Sequence, residues 1–326
     1  MNTSAAITRF LPFLACLCIT AMCLPGCSMK KWALTKVAGA LTAEGGTVFT
    51  GDDDPQLIAD ALPFALKTYE SLLQSLPDNQ DLLIGTGKAF CMYTYAFIQS
   101  PADTLPDTRI SEKNAAYKRA KRMYLRSRGY LLRACELRHP GFNALMNAGQ
   151  IDSALAMTGL ADTTLLYWTA ASWMGAFTAD KFDLTLMVDM NKPVAIMKRL
   201  LALHESYGEG SAHEFFISYY GSMPESMGGS EEKSRAHLAR ALELSKGTKA
   251  GPYVSLAASL CVRKQYADEF RALCEKALAV NLDASPGNRL ANIISQTRAR
   301  WLLDHRENFF LIDDSNGEKD RGKTEE

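Results

Sequence analysis

The sequence has few of the residues that usually carry catalysis or bind metals. Its 326 residues include only five histidines, and none of these has a metal-binding spacing such as H-E-x-x-H. It has no G-x-S-x-G elbow and no C-x-x-C pair. The 36 basic residues balance 36 acidic ones, which argues against a chain built mainly to hold nucleic acid. Beyond the N-terminus no run of about 18 apolar residues occurs, so a polytopic membrane protein is excluded.

One phosphate-binding motif is incomplete. The segment Gly85-Thr86-Gly87-Lys88 resembles the end of a phosphate loop, but Ala89 stands where a Ser or Thr should hold magnesium. The segment also falls inside a predicted helix and does not follow a strand. We therefore predict no cofactor, no metal ion and no catalytic residue, although an enzyme without a recognisable motif remains an alternative.

The N-terminus resembles a bacterial lipoprotein signal. Arg9 precedes an apolar run over 10–24, and Cys27 follows Gly26 directly. This pattern predicts that residues 1–26 are removed and that Cys27 carries the lipid, because a thiolate forms a stable thioether to a diacylglyceryl group. A plain signal peptide or a membrane anchor is the alternative. A lipidated Cys27 would anchor the chain to a membrane on the periplasmic side, with 27–55 as a linker.

Four cysteines remain in the predicted mature body, and each lies in an apolar helical pattern. They are Cys91, Cys135, Cys261 and Cys274. Their scattered spacing predicts buried free thiols, and a bridge between Cys261 and Cys274 is the alternative.

The body is predicted to be all-α, because helical periodicity is widespread and strand alternation is scarce. We predict a helical domain over 56–312 and a charged, disordered tail over 313–326. The predicted helices are 56–76, 80–98, 110–138, 141–158, 162–178, 192–206, 211–221, 230–246, 253–263, 266–281 and 287–310.

A degraded repeat of helical hairpins is visible. The segment 241–244 recurs as 277–280, 36 residues later, close to the period of 34 in a tetratricopeptide repeat. Chance likeness between two amphipathic helices is the alternative. The spacing favours a tetratricopeptide-like solenoid of helical hairpins, flanked by extra N- and C-terminal helices, and such stacks commonly bind partners.

The predicted helix 110–138 is strongly basic. It carries nine basic residues against Glu112 and Glu136. An apolar stripe at helical spacing predicts a packed helix with a solvated basic face, and we predict no nucleic-acid partner.

Two aromatic clusters are the candidate ligand-binding residues. A helix that is apolar all round, as over 162–178, is either buried or lines an apolar cavity. A second aromatic set follows within 211–221, where tyrosine hydroxyls could orient a polar head group. The candidates are Tyr167, Trp168, Trp173, Phe177, Phe215, Tyr219 and Tyr220.

Five blocks of the sequence resemble the T component of tripartite periplasmic (TRAP) transporters. They are 168–177, 204–216, 228–238, 251–257 and 288–303. The resemblance implies an exported helical protein that assists the periplasmic substrate-binding subunit, the P component. It also implies a homo-oligomer, a trimer, with apolar channels through its protomers, and it brings no catalytic residues.

Together these features predict a periplasm-facing, lipid-anchored protein. We expect it to bind the P component and an apolar or organic-acid small molecule. The alternative is an envelope scaffold that binds partner proteins through a concave face and has no ligand.

Overall fold

The computed structural model describes residues 34–36, 38–39 and 47–311. Every regular element in these ranges is helical, and no strand occurs in them. The all-α prediction is therefore confirmed.

The first half of the described chain contains five α-helices of five or more residues, and the first two begin at side-chain caps. Asp54 accepts the backbone N–H groups of Gln56 and Leu57, and Asn79 accepts that of Leu82, which satisfies donors that a helix start leaves unpaired. Helix α2 continues through a π turn, Tyr95–Gln99, into Ser100–Asp103. The five are α1 (Pro55–Ser75), α2 (Gln80–Thr94), α3 (Ile110–Arg138), α4 (Phe142–Asn147) and α5 (Ile151–Ala156).

The second half of the described chain contains eight further α-helices of five or more residues. Ser230 caps α10 through the Lys233 N–H, and α11 continues through a second π turn, Ala257–Cys261. The eight are α6 (Thr163–Ala179), α7 (Leu184–Val188), α8 (Asn191–Leu203), α9 (Ser211–Ser222), α10 (Glu231–Leu244), α11 (Gly251–Leu256), α12 (Ala267–Leu278) and α13 (Arg289–Asp304).

Consecutive helices pack as hairpins in solenoid-like order. Helix α3 lies along both α2 and α6, and α6 also packs on α8. Helix α9 pairs with α10, and α12 pairs with α13. The two copies of the repeated segment begin with equivalent buried alanines, Ala241 in α10 and Ala277 in α12, which lie in the same core cluster.

The buried apolar side chains form two clusters. The larger one joins α1 to α8 with part of α9 and the start of α13. The smaller one joins α11, α12 and the rest of α13 with parts of α9 and α10. Cys91 and Cys135 lie in the larger cluster, and Cys261 and Cys274 lie in the smaller one. All four are buried and free, the state predicted from the sequence, and burial raises the pKa of each thiol to about 12.

The helix boundaries differ from prediction at several points. The predicted helix 141–158 is two short helices, because Gly149 has a φ of 76° that ends α4. Helix α7 was not predicted. The helix predicted over 287–310 is α-helical only as far as Asp304 and ends in a short 3-10 turn, Arg306–Asn308.

Three predictions lie outside the described residues. They are the signal peptide 1–26, lipidation at Cys27 and the disordered tail 313–326. The division of the chain into these domains remains a prediction.

Candidate functional site

Helix α6 carries two distinct apolar faces. One face is buried against α3 and α8 and includes Leu165, Trp173 and Phe177. The other face is only half buried, although it is equally apolar: it presents Tyr167, Trp168, Ala171 and Met174. An apolar stripe on a central helix that protein covers only partly is typical of the wall of a binding groove.

Helix α2 supplies a second stripe beside the first. Ile84, Lys88, Met92 and Tyr95 recur every three or four residues, so they lie on one face of the helix. Helices α2 and α6 pack together, and Lys88 Nζ lies 5.9 Å from the ring centroid of Trp168. We refer to the space lined by these four residues, the half-buried face of α6, Tyr207 and Glu214 as the inner groove.

Tyr95 lies at one end of this space, near acidic groups of other elements. Its side chain is 57% exposed. Burial raises the pKa of its hydroxyl to about 12, with further contributions from the Glu214 and Asp103 carboxylates.

Tyr167 connects α6 to the opposite wall. Its ring centroid lies 5.3 Å from that of Tyr207, which precedes α9. Burial raises the pKa of Tyr167 well above its ordinary value, and the negative charge of Glu214 on α9 adds to the effect. Side chains from α2, α6 and α9 therefore converge on one region.

Glu214 is fixed in position by its neighbours. Lys249 Nζ lies 3.6 Å from one carboxylate oxygen. The other oxygen rests against Gly251, where an added Cβ would come within 2.1 Å of it. A residue larger than glycine at 251 would therefore displace Glu214 from the groove.

A charged pair closes the Tyr95 end of the groove. Arg298 Nη1 lies 3.5 Å from Asp103, and Asp103 also accepts a hydrogen bond of 2.6 Å from the Tyr117 hydroxyl. Burial and this hydrogen bond raise the pKa of Tyr117, so its hydroxyl remains a donor.

The seven candidate aromatic residues lie in different parts of the structure, and only some of them reach the inner groove. Tyr167 and Trp168 lie in the inner groove, with their ring centroids 5.0 Å apart in an edge-to-face arrangement. Trp173, at 4% exposure, is packed between Arg128 and Lys192, 4.7 and 5.6 Å from its ring centroid. Phe177 is buried in the same cluster.

The aromatic set on α9 is packed mainly against α9 and α10. Tyr220 is buried and stacks on His237 at 5.6 Å between ring centroids. Phe215 and Tyr219 are half buried and stack on each other at 6.4 Å. Among the described residues, α6 makes its ring contact with the second half of the chain through the pair Tyr167 and Tyr207.

Sequence reasoning named Tyr167 and Trp168 and missed the other groove residues. Tyr95 and Glu214 had no motif, and Lys88 was considered only as part of an incomplete phosphate loop. The spacing of Ile84, Lys88 and Tyr95 on one helical face was the available signal.

A second polar cluster holds α9 to α10. His213 Nδ1 and His237 Nδ1 are 2.8 Å apart, and Glu205 lies 3.3 Å from His213 Nε2. Arg240 binds the same Glu205 carboxylate at 2.7 Å, and its hydrogen bond holds the pKa of Glu205 down at about 2. Burial lowers the pKa of both histidines, that of His237 to about 4.

Two kinds of feature are absent from the described part of the chain. It contains no group of three or more His, Cys, Asp or Glu side chains arranged to hold a metal ion. None of its helices combines the length and apolarity needed to cross a bilayer.

The fold and the groove define a class of protein: a stack of helical hairpins around an internal apolar groove with polar groups at fixed points. The sequence model of the TRAP transporter T-component family matches residues 51–310. The chain belongs to this family, so it is an envelope-associated component of a TRAP transporter system.

A relative from Treponema pallidum (strain Nichols) agrees with this assignment. It is described as an uncharacterized protein and is 31% identical over 302 residues, which span 88% of this chain and 94% of the relative. The similarity thus extends over nearly the whole length of both proteins.

Proposed function

We propose that this T component binds an apolar small molecule in the inner groove and exchanges it with the substrate-binding subunit of its transporter. Membership of the family supports a role in transport. The groove supports the ligand, because α2, α6 and the segment before α9 present partly buried aromatic and aliphatic side chains to one space.

A single observation carries the ligand proposal. Helix α6 packs on α2, α3 and α8, yet one of its apolar faces stays half buried where α2 and Tyr207 approach it. A concave, largely apolar space with few convergent polar groups is the usual form of a small-molecule site.

Mass spectrometry of solvent extracts tests the ligand directly. The full chain, purified from its membranes, should release a reproducible apolar compound that an unrelated lipoprotein purified in parallel does not. Extracts that match those of the unrelated lipoprotein would contradict the proposal.

We also propose that Cys27 is lipidated and holds the chain at a membrane, facing the periplasm. The signal-like sequence before Cys27 supports this. Cys27→Ala should move the protein from the membrane fraction to the soluble fraction, with Cys23→Ala as a control that remains membrane-bound. A Cys27→Ala variant that still partitions with detergent would contradict lipidation.

The proposed partner is the periplasmic P component, and the proposed assembly is a trimer of this chain. Family resemblance supports both. Co-purification from crosslinked membranes should recover the substrate-binding subunit, and light scattering of the purified chain should give three times the protomer mass. A monomeric mass, or recovery of other envelope proteins alone, would contradict the proposal.

An envelope scaffold without a ligand is the second candidate. The side chains around α7 favour it, since Phe182, Leu184 and Val188 are 91%, 73% and 80% exposed. Exposed apolar residues in a row are typical of protein contact surfaces. Extracts without a bound compound, together with recovered partners, would favour this alternative.

A further inference from the structure

Four apolar side chains stand exposed on and beside the short helix α7. Helix α7 itself is fixed to the core, because Leu186 is buried and the Asp183 side chain caps the first turn. Exposed apolar side chains grouped on a fixed element are typical of a contact surface. We refer to the four as the α7 patch: Phe182, Leu184, Met187 and Val188.

The α7 patch lies beside the first half of helix α3. Lys121 of α3 reaches across to the segment that carries Phe182 and binds the carboxylates on both sides of it. Its Nζ lies 2.9 Å from Asp180 and 2.5 Å from Asp183. Both of these acidic groups are therefore neutralised by a lysine of α3.

The surface around the α7 patch is positively charged. Lys118 and Arg122 are exposed on the same part of α3, and Lys181 is exposed next to Phe182. None of these three cations forms an ion pair with a carboxylate in the described ranges. Asp189, just after α7, is already paired with Lys192 at 2.6 Å. The patch thus has a basic rim whose charge is not cancelled locally.

The α7 patch lies at the end of the helical stack where α1 begins. Lys121 places the patch beside the start of α3. Glu70 of α1 contacts Tyr130 of α3, and Asp78, just after α1, contacts Arg133 further along α3. Residue numbers therefore rise in the same direction along α1 and α3, and the start of α1 lies toward the start of α3.

The chain before α1 is held close to the body. Ala38 is buried in the larger core cluster, and it comes eleven residues after Cys27. Eleven residues span at most about 40 Å. A lipid on Cys27 would therefore keep the body near the bilayer, where even a weak surface contact gains from the high local concentration of membrane.

We propose that the α7 patch docks the folded body onto an anionic lipid bilayer. Phe182, Leu184 and Val188 enter the bilayer interface, and the cations of the basic rim contact the lipid phosphate groups. Apolar side chains bordered by lysine and arginine are the combination that binds anionic membrane surfaces. The docking belongs to the folded body and adds to the proposed lipid anchor.

Quenching by labelled lipids tests the position of the bilayer. Phe182→Cys and Leu160→Cys are made in the full chain and labelled with the fluorophore NBD, and the signal of labelled wild type is subtracted. The other cysteines of the body are buried, so they should not take the label. Leu160 is the matched control, because it is an exposed apolar residue before the opposite end of α6.

The labelled chains are incubated with vesicles of equal phosphatidylcholine and phosphatidylglycerol whose acyl chains carry doxyl groups. The probe at 182 should be quenched, because it lies among the acyl chains. The probe at 160 should be as bright as with vesicles that lack doxyl groups, because it points away from the bilayer.

Charge variants test the contact with lipid phosphates. Lys118→Gln combined with Arg122→Gln should lower the ratio of docked to undocked chain roughly tenfold in the anionic vesicles. Vesicles of phosphatidylcholine alone should reduce the quenching at 182 in the same way. Arg271→Gln combined with Lys276→Gln removes two exposed charges of α12 and should leave the quenching unchanged. Circular dichroism checks folding.

The outcomes separate docking from lipid anchoring. Equal quenching at 182 and 160, or a chain that does not float with the vesicles, would overturn the docking. Quenching at 182 that is insensitive to the Lys118 and Arg122 variants would also overturn it. Fractionation of Cys27→Ala reports on lipidation alone, so docking stands if that anchor fails while the probe at 182 is still quenched.

A second copy of the chain is the other possible occupant of the α7 patch. Phe182→Ser combined with Val188→Ser should abolish docking and leave the mass measured by light scattering unchanged. A fall in that mass would assign the patch to an interface between copies and overturn the membrane proposal.

Discussion

The Nδ1 atoms of His213 and His237 lie 2.8 Å apart, so one ring donates to the other and the pair holds a single proton between these atoms. The contact joins α9 to α10, and the His237 ring stacks against Phe216 and Tyr220. A second proton between these atoms would set two N–H groups against each other and make one of the two rings cationic, next to Lys233 and Arg240.

The stability of the fold should therefore fall in mild acid. The pKa of His237 is about 4 in the folded protein, lowered by burial and then by His213 and Lys233, against 6.5 in an unfolded chain. Between these values the unfolded chain binds more protons, so the free energy of unfolding should decrease by about 1–3 kcal/mol as pH falls from 6.5 to 4. Urea titrations at several pH values measure this.

A histidine outside the pair provides the control. His237→Phe preserves the stack and removes the titrating ring, so its stability should depend less on pH across the same window. His305 stacks on the Trp301 ring just after α13, outside the histidine pair. The stability of His305→Gln should therefore depend on pH as the wild type does. If His237→Phe left the pH dependence of the free energy of unfolding unchanged, other groups would cause the acid sensitivity.

Two helix glycines should respond to alanine in opposite directions. An added Cβ at Gly87 would lie 2.4 Å from Leu131 Cγ, whereas nothing lies within 4 Å of one at Gly129. Gly87→Ala should cost roughly 1–3 kcal/mol of stability through overpacking. Gly129→Ala should raise the free energy of unfolding by about 0.5–1 kcal/mol, because alanine is the better helix former. Chemical denaturation measures both, and equal effects would contradict the close approach of α2 and α3.

The two tryptophans of α6 should separate stability from ligand binding. Trp173→Leu removes part of a packed ring from the core and should cost about 2–4 kcal/mol. Trp168 lies on the half-buried face, so Trp168→Leu should lower the free energy of unfolding by only about 1 kcal/mol. The same substitution should lower the amount of extractable ligand. Thermal denaturation measures the stability of each variant, and quantitative extraction measures its bound ligand. Loss of ligand in the Trp173 variant alone would place the site on the buried face of α6.

The four thiols should react only after unfolding. Each is buried, and burial raises its pKa to about 12, so almost no thiolate forms at neutral pH. Intact mass after treatment with a thiol reagent should show modification of these four in denaturant and not in buffer. An unreactive Cys261 or Cys274 in denaturant would reveal a bridge.

Much of the helical fold could be predicted because the helical periodicity and the helix-stop residues indicated the same boundaries. Helix α3 was predicted at its observed bounds, Ile110–Arg138, because His139-Pro140-Gly141 stops it. The break at Gly149 was not predicted, since a single glycine within an apolar periodic pattern is compatible with either outcome.

The site was less predictable because it depends on contacts between distant segments. Trp168 and Trp173 are equivalent in the sequence, both in an apolar helix. Only the packing of α3 and α8 on one face assigns Trp173 to the core and leaves Trp168 in the groove. Tyr95 acquires its surroundings from Glu214 and Arg298, more than 100 residues away in the chain.

The π turn Tyr95–Gln99 lets this end of the groove change without disturbing the helices on either side. A π turn holds about one residue more than an α turn over a similar rotation of the chain. Deleting one residue there would therefore restore a regular helix and leave the helix beyond it facing nearly the same way. The change would fall on the turn itself, where Gln99 contacts Tyr124 and Thr178. A one-codon deletion at this point can thus reshape one end of the groove while the flanking packing persists, which gives descendants of this gene a short route to new ligands.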